Sequence, residues 1–185
     1  MPTIRAYDPK DKENVRMVCL RTGPEDALRE EGPHRTMILT TYCDYYVECE
    51  TQNCFVIADD NDGAVGYIFS AEDYWRYYAR FKKEYLPRIT GSGLRAQCRS
   101  VIWLPRLFIK KYPAHLHIDI LPDYQRQGLG SQLMDTLTAH LRAKGIPGVM
   151  LGVGSKNEKG KNFYKKYGFG EVVRAPGCIV MGLEL

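Results

Sequence analysis

The sequence predicts an α/β domain built around a mixed sheet, and three observations carry that prediction. Short apolar runs of strand length alternate with stretches of helical spacing. An Asp-Gly turn joins two of the apolar runs into a hairpin. Gly128 and Gly130 stand where a strand-like segment passes into a helical one. At 185 residues, one domain over residues 1–185 is expected, large enough to bury a core without disulfide or metal staples.

Taken in order, residues 4–7 read as a strand and residues 9–20 as a helix with Val15, Val18 and Cys19 on one side. A polar interval covers residues 21–35. A helical stretch over 40–49 carries Tyr42, Tyr45 and Tyr46, and residues 54–58 form an apolar strand. The turn Asp60-Asn61-Asp62-Gly63 accepts positive φ and returns the chain as a partner strand over 64–69. Tyr74, Tyr78, Phe81 and Tyr85 recur at helical spacing until Pro87 stops the pattern. Gly91, Gly93 and Pro105 interrupt residues 90–113, which receive no assignment. Residues 114–121 then read as a strand, 127–144 as a helix, 149–153 as a strand and 158–167 as a helix. Residues 171–174 and 178–185 close the chain as a pair of strands around Ala175-Pro176-Gly177.

Composition narrows the function. The net charge of +4 comes without a run of five basic residues, so no nucleic-acid partner is expected, although an anionic cofactor is suited. No basic-then-apolar leader and no apolar stretch of about 20 residues is present, which predicts a cytoplasmic protein without a membrane partner. Six cysteines lack a Cys-x-x-Cys pair, and His115 and His117 have none nearby in sequence. Free buried thiols and no metal are expected.

The helix opened by Gly128 and Gly130 carries Leu129, Leu133, Leu137 and Leu141 every four residues and ends at Lys144-Gly145. Its start exposes about four unpaired N–H groups at the positive pole of the helix dipole, and glycines let an anion reach that backbone. A dinucleotide fingerprint would need glycine where Leu133 stands, and a P-loop would need Gly-Lys-Ser/Thr. By itself the pair supports an anion-binding turn and equally a turn without a ligand.

The segment from Ile118 through Pro122, Tyr124, Gln125, Arg126, Gln127, Gly128 and Gly130 to Leu133 resembles, without a gap, the acetyl-CoA motif of the GNAT acetyltransferase superfamily. That resemblance implies a mixed, mostly antiparallel sheet flanked by helices, with splayed strands at the site of acetyl-CoA, the co-substrate. It implies that Gln125, Arg126, Gln127, Gly128, Leu129, Gly130 and Ser131 surround the pyrophosphate, and that Ile118, Asp119 and Ile120 pair with pantetheine through their backbone. A second block, Asn157 through Phe163, Tyr164, Gly168 and Phe169, resembles the superfamily's Asn-x-x-Ala/Gly-x-x-Leu/Phe-Tyr-x-x-x-Gly-Phe pattern. By that resemblance Tyr164 returns a proton to the departing CoA thiolate. A phenol of pKa about 10 in contact with a thiolate of about 8.5 can do so at a cost of only about 2 kcal/mol. Asn157 is read as a helix cap or a CoA contact.

His115, His117 and Asp119 alternate along one strand face, which argues for a polar or functional environment there. His117 has an imidazole suited to accept a proton near neutrality, and Asp119 can orient it, hold a cation or act as the base. The superfamily commonly carries its base at the other parity of this strand, which a bulge would reconcile. The expected reaction is acetyl transfer to a primary amine, on a small molecule or peptide, by a monomer or homodimer. Residues 112–122 also resemble the acetyltransferase-like domains of O-GlcNAcases and their bacterial stand-alone relatives, some of which lack the cofactor loop. A binding module without turnover is therefore the alternative. Asp44, Glu48, Glu50 and the aromatic helix are candidates for attracting the amine.

Overall fold

A computed structural model describes residues 2–61 and 63–185; Met1 and Asp62 of the predicted turn lie outside the described residues. The helices are α1 (Lys12–Thr22), α2 (Glu25–Arg29), α3 (Pro33–Leu39), α4 (Tyr45–Cys49), α5 (Tyr74–Arg80), α6 (Ser92–Trp103), α7 (Leu129–Ala143) and α8 (Glu158–Tyr167). The strands are β1 (Thr3–Ala6), β2 (Cys54–Asp59), β3 (Gly63–Ala71), β4 (Ala114–Ile120), β5 (Gly148–Gly154), β6 (Gly170–Ala175) and β7 (Cys178–Glu184). They form a seven-stranded sheet in the order β1-β2-β3-β4-β5-β7-β6. Every neighbouring pair is antiparallel except β4 and β5, whose parallel run requires the crossover that α7 supplies.

Alternation along the strands sorts the core onto two faces. Ile57, Val65, Ile68 and Leu116 meet Leu133, Leu137 and Leu141 of α7. On the other face Tyr67, Phe69 and Ala71 meet α1, α4 and α5, where Tyr45, Tyr46, Tyr74, Tyr77, Phe81 and Tyr85 are buried. The aromatic spacing of residues 74–85 therefore belongs to the core rather than to a cation-binding wall. A π-helical turn, Phe81–Tyr85, continues α5, and another, Thr40–Asp44, joins α3 to α4.

Two stretches depart from the sequence reading. The interval 21–35, expected to be polar, contains α2 and the start of α3, because Pro33 opens a helix whose buried residues, Met37, Ile38 and Leu39, come late in it. Residues 90–113 contain α6. Gly91, at φ +84, is its N-cap rather than a break, and only Cys98 and Ile102 are buried, a stripe too thin to register as a period. The six cysteines are free thiols.

Candidate active site

β4 and β5 pair only at Ala114 with Val149 and at His115 with Met150, whereas β5 continues along β7 as far as Gly154. From Leu116 onward the two strands splay. The bond from Leu121 N–H to the Val65 carbonyl, 3.0 Å, sets the phase of the β3–β4 ladder. Paired and unpaired positions alternate in such a ladder, so His117 and Asp119 turn their backbone toward β3 while Ile118 and Ile120 turn theirs into the opening. Asp119 thus presents its carboxylate rather than its backbone. The Ile120 carbonyl accepts from Gln125 Nε2 at 2.8 Å.

The opening lines a cleft of about 790 Å³. Ile118, Asp119 and Ile120 lie on one wall, and Gln125, Arg126, Gly128, Gly130 and Ser131 at the loop. Asn157, Lys159, Phe163 and Tyr164 close it from α8. Two loop residues turn their side chains away from the cleft, leaving their backbone N–H groups as what they offer to a phosphate. Leu129 is buried beneath α7, and Gln127 donates from Nε2 to the Asp123 carbonyl at 2.9 Å.

Arg126, at φ 61, and Gly128, at φ 80, are both left-handed. For a residue with a Cβ that conformation costs about 1–2 kcal/mol, and such strain gathers at functional sites. Gln132 N–H makes the bond to the Gly128 carbonyl at 3.1 Å that opens α7. The N–H groups of Leu129, Gly130 and Ser131 precede it and have no helical acceptor. A Cβ at Gly130 would lie 3.4 Å from the Phe163 ring, so both walls of the cleft come close to the helix start. Bare N–H groups, left-handed turns and a gap between strands fit a pyrophosphate followed by a thin amide-bearing arm.

The Asn157 side chain accepts from Gly160 N–H at 2.9 Å, capping α8, and also lines the cleft. The Tyr164 hydroxyl has no protein hydrogen bond among the described residues. Burial, and after it the Asp119 charge, pushes this phenol upward, so it keeps its proton at neutral pH.

His117 lines a smaller pocket of about 130 Å³ together with Cys19, Thr22, Gly23, Pro24, Ile38, Tyr42 and Asp119. Its Nε2 lies 3.0 Å from Asp119 Oδ2, which also accepts from the Tyr67 hydroxyl at 2.7 Å. The Tyr42 ring stands 4.9 Å from the imidazole. Thr22 and Asp119 line both cavities, so the two meet at that carboxylate. β4 pairs with β3 without a shift, and no bulge reverses the parity of His117 and Asp119.

His115, on the same strand face, is no part of the site. It is buried among Tyr46, Tyr74 and Tyr77, accepts or donates at Nε2 with Tyr46 Oη at 2.7 Å, and burial lowers it to about 3. Asp44, Glu48 and Glu50 also line neither cavity. Asp44 pairs with Arg16 at 2.6 Å, Glu48 with Arg88 at 3.1 Å and Lys12 at 3.2 Å, and Glu50 accepts from Asn53 at 2.9 Å.

Tyr67 and Cys19 were not legible as site residues, since each comes from an element far in sequence from β4. The fold places Cys19, His117 and Asp119 with ligand-type atoms within 4.8 Å of one another, a grouping that sequence spacing concealed. Burial and after it the Asp119 charge push the Cys19 thiol up, so without a metal it is protonated.

The sequence model of the acetyltransferase (GNAT) family matches residues 20–169. The chain belongs to the GNAT acetyltransferase family. Membership makes it an acyltransferase with acetyl-CoA as donor. The chain is 22% identical to rat (Rattus norvegicus) protein O-GlcNAcase over 99% of its own length but only 22% of that protein's, so it spans about a fifth of this relative. Among solved structures it is similar to SsHAT, at 29% identity and a TM-score of 0.86, covering 99% of this chain and 98% of that one. It shares the fold of the PaiA N-acetyltransferase of Thermoplasma acidophilum in complex with coenzyme A, at 16% identity and a TM-score of 0.65, with 100% and 99% covered. Among the described residues no helix is long and apolar enough to cross a membrane.

Proposed function

We propose that this chain is an N-acetyltransferase that moves the acetyl group of acetyl-CoA directly to a primary amine. The observation that carries the reading is the meeting of two cavities at Asp119. One is bounded by the splayed edge of β4, the left-handed loop and Tyr164, and the other by His117.

Bound acetyl-CoA supplies an acyl group activated as a thioester. In this reading the N–H groups from Arg126 to Ser131 hold its pyrophosphate, with the Arg126 side chain at the rim, while the Gln125 N–H stays bonded to the Pro122 carbonyl at 3.2 Å. The Ile118 and Ile120 backbone holds its amide-bearing arm, and Ile118 N–H is the donor placed for an oxygen that gains negative charge. His117 or Asp119 takes the ammonium proton, with the Tyr67 hydroxyl fixing the carboxylate. Tyr164, protonated and free to donate, returns a proton to the leaving sulfur.

Titration calorimetry with acetyl-CoA, followed by release of free thiol with a panel of amines, tests this. Binding accompanied by thiol release is expected. Tyr164→Phe should lower kcat by about 10²-fold while sparing cofactor affinity. Binding without acetylation of any amine would instead assign a cofactor-binding module.

A further inference from the structure

The 130 Å³ pocket beside His117 restricts what the acceptor can be. A cavity of about 150 Å³ holds one benzene-sized group, so this volume takes an ammonium and a short run of methylenes. The pocket's mainly apolar wall offers few partners for the hydroxyls of an amino-sugar ring. Its wall is made by Ile38, Pro24, Tyr42 and the protonated Cys19, with Asp119 as the one acidic group in the lining. No lysine or arginine lines it, so it offers no permanent cation to an acceptor carboxylate or phosphate.

The two ends of the pocket differ. Gly23 and Pro24 are exposed and make an open rim, whereas Asp119 and Thr22 continue into the cofactor cleft. The Tyr42 ring lines the pocket beside His117, 4.9 Å from the imidazole, and an aromatic ring in that lining attracts a cation. Burial raises the Tyr42 phenol to about 12, so the ring carries no charge of its own.

We infer that the acceptor enters as a primary ammonium at the end of a slender, unbranched alkyl chain, with the rest of the acceptor outside the Gly23–Pro24 rim. The inference rests on the acetyl-transfer reading above and specifies its second substrate. A free alkylamine or diamine and the side chain of a peptide lysine share this chemistry, and the test separates them.

The experiment compares kcat/KM for n-butylamine, 1,4-diaminobutane, an Nα-acetyl-lysine amide, glucosamine and glutamate, with acetyl-CoA affinity measured in parallel. The straight-chain ammonium compounds should exceed glucosamine and glutamate by at least about tenfold, the scale on which apolar pockets discriminate by shape. A lysine amide above both free amines indicates a peptide source, and the reverse a free amine; either supports the inference. Ile38→Phe, which fills the pocket, should lower kcat/KM for the preferred amine about tenfold without changing cofactor affinity. Tyr42→Leu should raise its KM with the fold intact. Preference for glucosamine or glutamate, or indifference to both substitutions with cofactor binding preserved, overturns the inference. If acetyl-CoA binds and no amine reacts, calorimetry of n-butylammonium with the CoA complex decides. Binding lost in Ile38→Phe upholds the pocket although the transfer reading fails, and absence of binding overturns both.

Discussion

Tyr67 and Asp119 stand opposite each other on β3 and β4, and the Tyr67 hydroxyl donates to Asp119 Oδ2 at 2.7 Å. The same oxygen lies 3.0 Å from His117 Nε2, so the buried phenol anchors the carboxylate at which both cavities meet. Tyr67→Phe removes the donor while keeping the ring stacked on Phe69. A stability loss of about 1–2 kcal/mol is expected in urea denaturation, because Asp119 can take water from the cleft in exchange. kcat should fall about tenfold or more with cofactor affinity unchanged. An unchanged kcat would remove Tyr67 from the machinery.

His115 makes stability depend on pH. Its Nδ1 is buried without a partner, and burial, with the nearby His117 adding to it, lowers the imidazole to about 3. In the unfolded chain the group titrates near 6.5. Between these values the unfolded state binds the extra proton, so stability is retained above about 6.5 and declines by about 1.4 kcal/mol per unit as pH falls toward 3. Denaturant midpoints compared across that window for the parent and His115→Gln should diverge, with the variant less sensitive to acid. Parallel profiles would show that His115 is not the responsible group.

Gly128 occupies a left-handed position at φ 80, just before α7. Gly128→Ala should destabilise the fold by about 1–2 kcal/mol and weaken CoA binding, since the loop must shift to relieve the strain. Thermal unfolding and calorimetry read the two effects separately. A fully stable variant with normal affinity would mean that the loop tolerates another conformation.

Asn157 can be separated into cap and contact. Asn157→Ala loses the bond from Gly160 N–H and should cost about 1 kcal/mol. Asn157→Asp retains a cap, so its stability should match the parent. If Asn157 also faces the cofactor, that added charge should lower CoA affinity, and calorimetry on the aspartate variant decides it.

Much of the site was readable because its chemistry is local. The turn from Gln125 to Gly130 and the cap at Asn157 depend on neighbours within a few residues, and glycine, proline and asparagine each leave a local signature. The α7 stripe was equally plain, as Leu133, Leu137 and Leu141 are all fully buried. Less visible were α2, α3 and α6, short helices or helices with a thin buried stripe, for which packing rather than periodicity decides the conformation.

The face of β4 shows where pattern stops short. Alternation placed His115, His117 and Asp119 together, yet their surroundings differ along a single strand: His115 lies among Tyr46, Tyr74 and Tyr77, and His117 reaches the pocket by α1 and α3. Likewise Asp44, Glu48 and Glu50 looked available for an amine until the fold supplied Arg16, Arg88, Lys12 and Asn53 as partners.

By itself the sequence determined the loop, the helix it opens and the tyrosine that follows, because backbone conformation and periodicity act over short spans. Only the tertiary structure decided that Tyr67 holds Asp119, and that a narrow pocket from α1, α3 and Tyr42 joins the cleft there. Those are contacts between residues many positions apart, and they exist only once the sheet order has brought their elements together.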